Sequence, residues 1–549
     1  MNNISVNLSE KVVLRFSARG LPVLDMTSKS DPFVVVNLID EAHGNNPVQI
    51  GISDVVMDNS NPNFTAEFVV DYKFEAVQKI KVDIFDKDSG PVHKLSNHTL
   101  IGSITFTIAD LMCSPGSYLE EKIIGRRARA ESKIIVVGET VANCRDVLSI
   151  SFKGKKLANK DGFFGRSDPF ITIYRETDSG SMVQVWQNLP IMNNLSPVWP
   201  VAKIPTATLC NNDYDRHLKI EIMDWDSNGS HDSMGSVHTS LNQIIQGNNN
   251  PNGFDVIEDK NIKKGKASGQ LFYLNVQIEK HPSFIDYING GLHVSLAVAI
   301  DYTASNGDPN KKGTLHSRSE DPNQYQKAIS AIGSIVANYD TDNKFPVYGF
   351  GAQLLNESKV LEKNVSHCFS LKNHLSKDDH GEVDGVDGIL EAYKNSFNFA
   401  CLSGPTMFSG ILHEIASNHV PVCVEENQNY LIVLIICDGI INDMNNTIEQ
   451  IVDLSNKPVS IIIIGVGKAN FDQMDRLDGD GSKLRTVRDG RVAERDIVQF
   501  VPYRDFERKG LAALADVTLK EIPGQVLSYM KSKKIKPIEA PPPYDFDSM

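Results

Sequence analysis

Ser-Asp-Pro-Phe occurs twice in this chain, at Ser30–Phe33 and at Ser167–Phe170. Each copy is followed by an Asp-x-Asp pair, Asp86/Asp88 in the first and Asp224/Asp226 in the second. Between these marks lies another, Pro62-Asn-Phe64 in one copy and Pro197-Val-Trp199 in the other. The offset between copies stays nearly constant, and a steady offset with matching punctuation means a duplicated domain. What is duplicated is mostly carboxylate. Acidic side chains clustered on turns are how a protein holds a hard cation such as calcium.

Around the repeat, residues 1 to about 280 read as strands and turns. Val12–Phe16, Phe33–Leu38 and Lys79–Phe85 are short β-branched or alternating runs, and Val147–Phe152, Phe170–Tyr174 and His217–Ile222 are their counterparts. Many short strands separated by Pro, Gly, Asn and Asp predict a β-sandwich in each copy. After Pro282 the texture changes. The runs Leu431–Ile436 and Ile461–Ile464 are wholly apolar, as in strands buried on both faces of a parallel sheet. Asp321-Pro322 is expected to open a helix with Ile329, Ile332, Ile335 and Val336 on one face. Alternating strands and helices predict a doubly wound α/β domain. The 549 residues thus divide into a first sandwich (1–130), a second (131–280), an α/β domain (281–535) and a Pro-rich tail (536–549).

Several classes are excluded or disfavoured. A net charge of −14 argues against general nucleic-acid binding. No apolar run approaches the ~20 residues that span a bilayer. The start, Met1-Asn-Asn-Ile-Ser-Val6, has no basic segment ahead of an apolar one, so a secretory leader is not expected, and no acylation or prenylation motif is read. Seven cysteines without Cys-x-x-Cys spacing read as reduced thiols, hence a cytoplasmic protein. The chain displays no Gly-rich phosphate loop ahead of Lys-Ser/Thr, no Gly-x-Ser-x-Gly elbow and no His pair with metal spacing. An enzyme is therefore not expected.

The first repeat offers Asp25, Asp31, Asp86 and Asp88 as calcium ligands; the second offers Asp161, Asp168, Asp224, Asp226 and Asp232. This pattern resembles the C2 domain, a calcium-dependent lipid-binding sandwich whose ligands come from two loops at one end. Two departures stand out. The first copy has Thr99 where the resemblance calls for Asp, and the second has one extra residue between Asp161 and Asp168. Calcium on such a rim would reverse its sign and admit phosphatidylserine or phosphoinositide headgroups. Phe163, Phe164 and Met26, with Pro91-Val92 as weaker candidates, are apolar tips placed to enter the interface. Lys153–Lys156 with Lys160, and Lys260–Lys266, could add attraction that needs no calcium.

In the third domain Asp301-Tyr-Thr303-Ala-Ser305 ends an apolar strand. It matches the metal-ion-dependent adhesion site of von Willebrand factor A domains. Thr406 fits that site's second loop and Asp438, in Cys437-Asp-Gly439, its third. Hydroxyls with few carboxylates suit magnesium, or manganese, which keeps an open position for a partner's acidic residue. Two C2 domains followed by an A domain resemble the copine family. Phe284-Ile-Asp-Tyr-Ile-Asn-Gly-Gly291, Ile300–Gly307, Leu477-Asp-Gly-Asp480 and Val501-Pro-Tyr-Arg504 carry that likeness locally. The resemblance implies a cytosolic protein that moves to the plasma membrane, and to intracellular membranes, when calcium rises. It also implies an A domain that recruits target proteins in signalling or trafficking. The tail segment Pro541–Tyr544 fits a WW-domain ligand. The competing reading is a calcium-independent scaffold that acts mainly through its A domain.

Overall fold

The computed structural model describes residues 10–24, 29–40, 44–141, 146–162, 165–177, 180–226, 231–258, 266–319, 322–376, 380–479 and 483–539. It divides into two compact units. One comprises Met1–Val141 together with Phe284–Met549, and the other is Ala142–Ser283.

The first unit begins with a sandwich of eight strands: β1 (Glu10–Arg19), β2 (Pro32–Ile39), β3 (Val48–Ile52), β4 (Phe68–Tyr72), β5 (Lys79–Asp86), β6 (Thr99–Thr107), β7 (Tyr118–Lys122) and β8 (Lys133–Val141). They form two four-stranded sheets, β4-β1-β8-β7 and β3-β2-β5-β6. Period-2 alternation explains the pairing of faces: Val12, Leu14, Phe16 and Ala18 of β1 meet Ile80, Val82 and Ile84 of β5 in one core. A short helix, α1 (Ile108–Cys113), follows β6 and is capped reciprocally by Thr107 and Asp110. β8 pairs with both β1 and β7. The first sandwich therefore runs to Val141, past the boundary expected at residue 130, because its last strand pairs back with β1 and β7.

The same unit continues as an α/β region. It opens with α4 (Phe284–Asn289) and β17 (His293–Asp301), numbered after the elements of the second unit below. α5 (Gln324–Val336) and β18 (Lys344–Phe350) follow. The small strands β19 (Ala352–Leu355), β20 (Leu361–Ser366), β21 (Phe369–Ser370), β22 (Glu382–Asp384) and β23 (Ala400–Leu402) flank α6 (Gly385–Ser396). Then come α7 (Ser409–Asn418), β24 (Asn429–Cys437), α8 (Met444–Leu454), β25 (Val459–Gly465), α9 (Asp472–Asp478), β26 (Val498–Pro502), α10 (Leu511–Leu519) and α11 (Ile522–Lys533). β18, β17, β24, β25 and β26 lie parallel in that order. Alternate residues of the central strands face opposite layers. Val294, Leu296, Ile432, Leu434 and Ile462 share a core with α5, α10 and α11. Ala297, Val433, Ile435, Ile461 and Ile463 share another with α7, α8 and α9. This is the doubly wound architecture expected from the apolar runs. α5 starts later than Asp321-Pro322, at Gln324, because the Asn323 side chain accepts from Gln326 N and the Gln326 side chain accepts from Asn323 N.

Within this unit the sandwich and the α/β region meet at an aromatic seam. The buried Tyr72 and Tyr339 hydroxyls are 2.7 Å apart. Phe74 lies between Phe284 and Tyr339, with ring centroids 5.0 and 4.7 Å away. Ile285 N donates to Glu10 Oε2 at 3.3 Å.

The second unit holds β9 (Val147–Lys155), β10 (Pro169–Glu176), β11 (Met182–Gln187), β12 (Ala202–Pro205), α2 (Thr206–Cys210), β13 (Leu218–Asp224), β14 (Asp232–Thr239), α3 (Leu241–Gln246), β15 (Phe254–Ile257) and β16 (Ala267–Glu279). Its strands run in the order β11-β10-β13-β14-β15-β16-β9-β12. They enclose Trp199, Ile150, Ile173, Ile220 and Leu271.

Candidate functional site

In the second unit the strand register collects the acidic loops. Pro169 pairs with Asp224 across β10 and β13, and Asp224 pairs with Asp232 across β13 and β14. Asp168 N donates to Asp224 Oδ1 at 2.6 Å, and Asn193 N donates to Asp168 Oδ1 at 2.5 Å. Asp226 N donates to His231 Nδ1 at 3.0 Å. Asp161 belongs to the same rim: partial desolvation, then the charges of Asp224, Asp168, Asp226 and Asp232, raise its carboxyl above the usual range. Gly165 passes close to it: a Cβ there would lie 3.0 Å from Asp161 Cβ.

The first sandwich repeats this frame bond for bond. Asp31 N donates to Asp86 Oδ1 at 2.6 Å, Asp58 N donates to Asp31 Oδ1 at 2.7 Å, and Asp88 N donates to His98 Nδ1 at 3.3 Å. Thr99 faces Asp86 where Asp232 faces Asp224. Asp58 occupies the place of Asn193 and adds an acid that the repeat comparison does not single out. Asp25, Met26, Phe163, Phe164 and Pro541–Tyr544 lie outside the described residues.

His98 and His231 are likewise missed by sequence reasoning. Each presents Nδ1 to the amide of the second Asp of its Asp-x-Asp pair, and each meets the Phe of Ser-Asp-Pro-Phe edge-on, at 5.3 and 5.1 Å. Their signal is positional: both directly precede the residue at the fifth-ligand position. Lys160, in contrast, is not free to face lipid. Its ammonium lies 2.5 Å from Glu258 Oε1, and both side chains are largely buried.

A repelling set of oxygen donors at the end of a strand pair fits a hard divalent cation. Burial of Asp86 and Asp224 below exposed neighbours places acceptors at two depths. Such a rim can hold calcium and, once its charge is reversed, an anionic headgroup.

The second site lies where β17 and β24 end side by side. Asp301 is wholly buried, and its Oδ1 accepts from Thr303 N at 2.8 Å. Thr303 Oγ1 and Ser305 Oγ are 3.0 Å apart, and Ser305 Oγ donates to Asp438 Oδ1 at 3.0 Å. The Thr406 loop joins through its backbone. Ala304 N donates to Ser403 O at 2.7 Å, and Thr406 N donates to Asn442 Oδ1 at 2.8 Å. Burial, then the neighbouring charge of Asp438, pushes the Asp301 carboxyl well above the usual range, and burial raises Asp438 too. Two inward carboxylates beside two hydroxyls suit magnesium or manganese.

His316 supports this site from below. Its Nε2 lies 2.8 Å from Asp301 O and its Nδ1 2.8 Å from the Tyr393 hydroxyl. Burial pushes its pKa down to about 3, so the ring is neutral near pH 7. A carbonyl only accepts, so Nε2 carries the proton and Nδ1 accepts from Tyr393.

Residues 314–538 match the family model described as Copine. Residues 11–121 and 149–256 match the C2 domain model. Among solved structures, one described as BON1-C2B is 23% identical, covers 25% of this chain and 93% of its own, and has a TM-score of 0.22. The calcium-bound pair of C2 domains of Extended-Synaptotagmin 2 is 14% identical over 43% of this chain and 86% of its own, with a TM-score of 0.20. A single C2 domain of a plant Extended Synaptotagmin 1 is 16% identical over 25% of this chain and 98% of its own, also at 0.20.

Proposed function

Because the chain belongs to the copine family, with two C2 domains ahead of a copine domain, we propose that it is a calcium-responsive membrane-binding protein that carries protein partners to anionic membranes. The observation that supports this most is the frame of three hydrogen bonds found in both sandwiches. Each bond fixes an aspartate or its loop while leaving other carboxylate oxygens for a cation. Calcium there would supply positive charge and open coordination positions for phosphatidylserine or phosphoinositide oxygens. Asp224 and Asp86 anchor the ladder ends, and Asp168 and Asp31 bridge to the neighbouring loop. His231 and His98 hold the Asp-x-Asp turn open. The rim carries strong negative charge before loading, so the resting protein is repelled by anionic lipid.

In the copine domain, Asp301, Thr303, Ser305, Thr406 and Asp438 would hold magnesium or manganese, whose open position accepts a carboxylate from a partner. The chain's own role is to bring the Asp301 and Asp438 carboxyls together and to orient the hydroxyls; a bound cation would favour their ionised forms, which burial alone disfavours. We read the protein as a binding module and not as an enzyme. A calcium-independent scaffold remains the second reading, favoured specifically by Thr99 in the first C2 domain.

Co-sedimentation of the full chain with phosphatidylserine vesicles separates the two. Calcium-dependent pelleting, lost in Asp224→Asn/Asp226→Asn, is expected. Equal pelleting in calcium and in chelator would favour the scaffold.

A further inference from the structure

At the opposite end of β17 from Asp301 stands a second cluster, separate from both sites. His293 opens the strand, while Asp340 and Asp342 sit on the turn between α5 and β18. One ligand atom from each lies within 4.8 Å of the others. The Asp340 side chain is entirely buried. Its Oδ1 accepts from Asn343 N at 2.8 Å and from Asp342 N at 3.1 Å, but its Oδ2 has no hydrogen-bond partner. His293 Nε2 is also buried without a hydrogen bond, although it lies 3.3 Å from Asp340 Oδ1.

That distance is informative. A charge-assisted imidazole–carboxylate bond closes to about 2.8 Å. Two ligands of one tetrahedral zinc, with bonds of about 2.0–2.1 Å, stand about 3.3 Å apart along the tetrahedron's edge. A facing nitrogen and oxygen at that separation, without hydrogen-bond geometry, leave a place for a metal between them. The Lys344 ammonium turns to Asp384 at 2.5 Å, and its amide donates to Asp342 Oδ1 at 2.9 Å. An imidazole with two carboxylates suits zinc better than calcium or magnesium, which prefer all-oxygen shells.

We propose that His293, Asp340 and Asp342 form a zinc site that stiffens the turn after α5. The turn matters because Tyr339, the seam tyrosine, directly precedes Asp340. Zinc here would brace the α/β region where the first sandwich docks.

The test uses the full chain stripped with chelator, then titrated with zinc alone in excess calcium and magnesium, which occupy the all-oxygen sites. Wild type should bind one zinc more than His293→Gln and than Asp342→Asn, or bind it at least tenfold more tightly. Asp342→Asn leaves the buried pair in place, so its folding is not at issue. Cobalt(II) in place of zinc should give the intense visible bands of a tetrahedral site, lost in His293→Gln. Zinc binding of equal number and strength in all three proteins would overturn the proposal, leaving a plain His–Asp ion pair. So would weak, octahedral cobalt bands in wild type.

Discussion

The Tyr72–Tyr339 seam makes a quantitative prediction. The two buried hydroxyls are each other's hydrogen-bond partner at 2.7 Å. Tyr72→Phe removes that bond and leaves the Tyr339 hydroxyl buried and unsatisfied, a cost of about 1–3 kcal/mol. Tyr339→Phe should cost the same for the mirror reason. The double variant leaves no orphan and loses only the net worth of one hydrogen bond, about 1 kcal/mol. It should therefore be no less stable than either single variant, and the double-mutant cycle should show strong coupling. All three tryptophans, Trp186, Trp199 and Trp225, lie in the other unit, Ala142–Ser283. Urea unfolding followed by tryptophan emission should thus stay unchanged, while circular dichroism and hydrogen exchange in β4 report the loss. Additive single and double effects would refute the account of the seam, as would a shift confined to tryptophan emission.

Other perturbations separate the sites. Thr99→Asp supplies the carboxylate that the first C2 domain lacks and should tighten its calcium binding severalfold, measured by calorimetry in an Asp224→Asn background; unchanged binding would discount the fifth position. His231→Ala strips the Asp226 amide of its acceptor and should weaken calcium binding in the second domain about tenfold, or ~1.4 kcal/mol; wild-type affinity would make the histidine a packing residue only. Asp301→Ala should abolish magnesium-dependent partner capture and spare lipid pelleting; the same partners recovered from that variant would discount the site. The raised carboxyls of Asp301 and Asp438 fix a pH dependence. The unfolded chain ionises these groups at lower pH than the folded one does. The magnesium-free protein therefore loses stability as pH rises from the ordinary carboxylate range toward neutrality. Magnesium should restore it, so the thermal shift on adding magnesium should be larger at neutral than at acid pH, and equal shifts would count against the pairing.

Repeats and periodicity make the architecture readable. Ser-Asp-Pro-Phe and Asp-x-Asp sit at strand ends, where a ladder converts sequence offset into proximity. Asp168 and Asp224 are remote in the chain yet brought together where β10 and β13 pair. The Asp-x-Thr-x-Ser strand end is legible for the same reason. Residues acting through a single backbone bond are not. His98 and His231 look like two of fourteen scattered histidines until both are seen to hold the same amide. His316 carries no motif because its partners, Asp301 O and Tyr393, are set by the crossover of the α/β layers. Lys160 reads as a surface charge because its partner, Glu258, is supplied by a distant loop. β8 falls beyond the boundary expected at residue 130, since an apolar run names its face but not its sheet.

The seam has a topological consequence as well. Val141 pairs with Lys11, and the neighbouring Glu10 takes the amide of Ile285. The chain thus leaves the first unit and re-enters it at nearly the same spot, so the second C2 domain is strung in like a loop between two adjacent anchors. Such a module can be excised and the gap closed by a short linker. The same arrangement means that a copine domain cut out alone would expose Phe284 and Tyr339. The smallest fragment that keeps this seam covered is the discontinuous one, with the first C2 domain still attached.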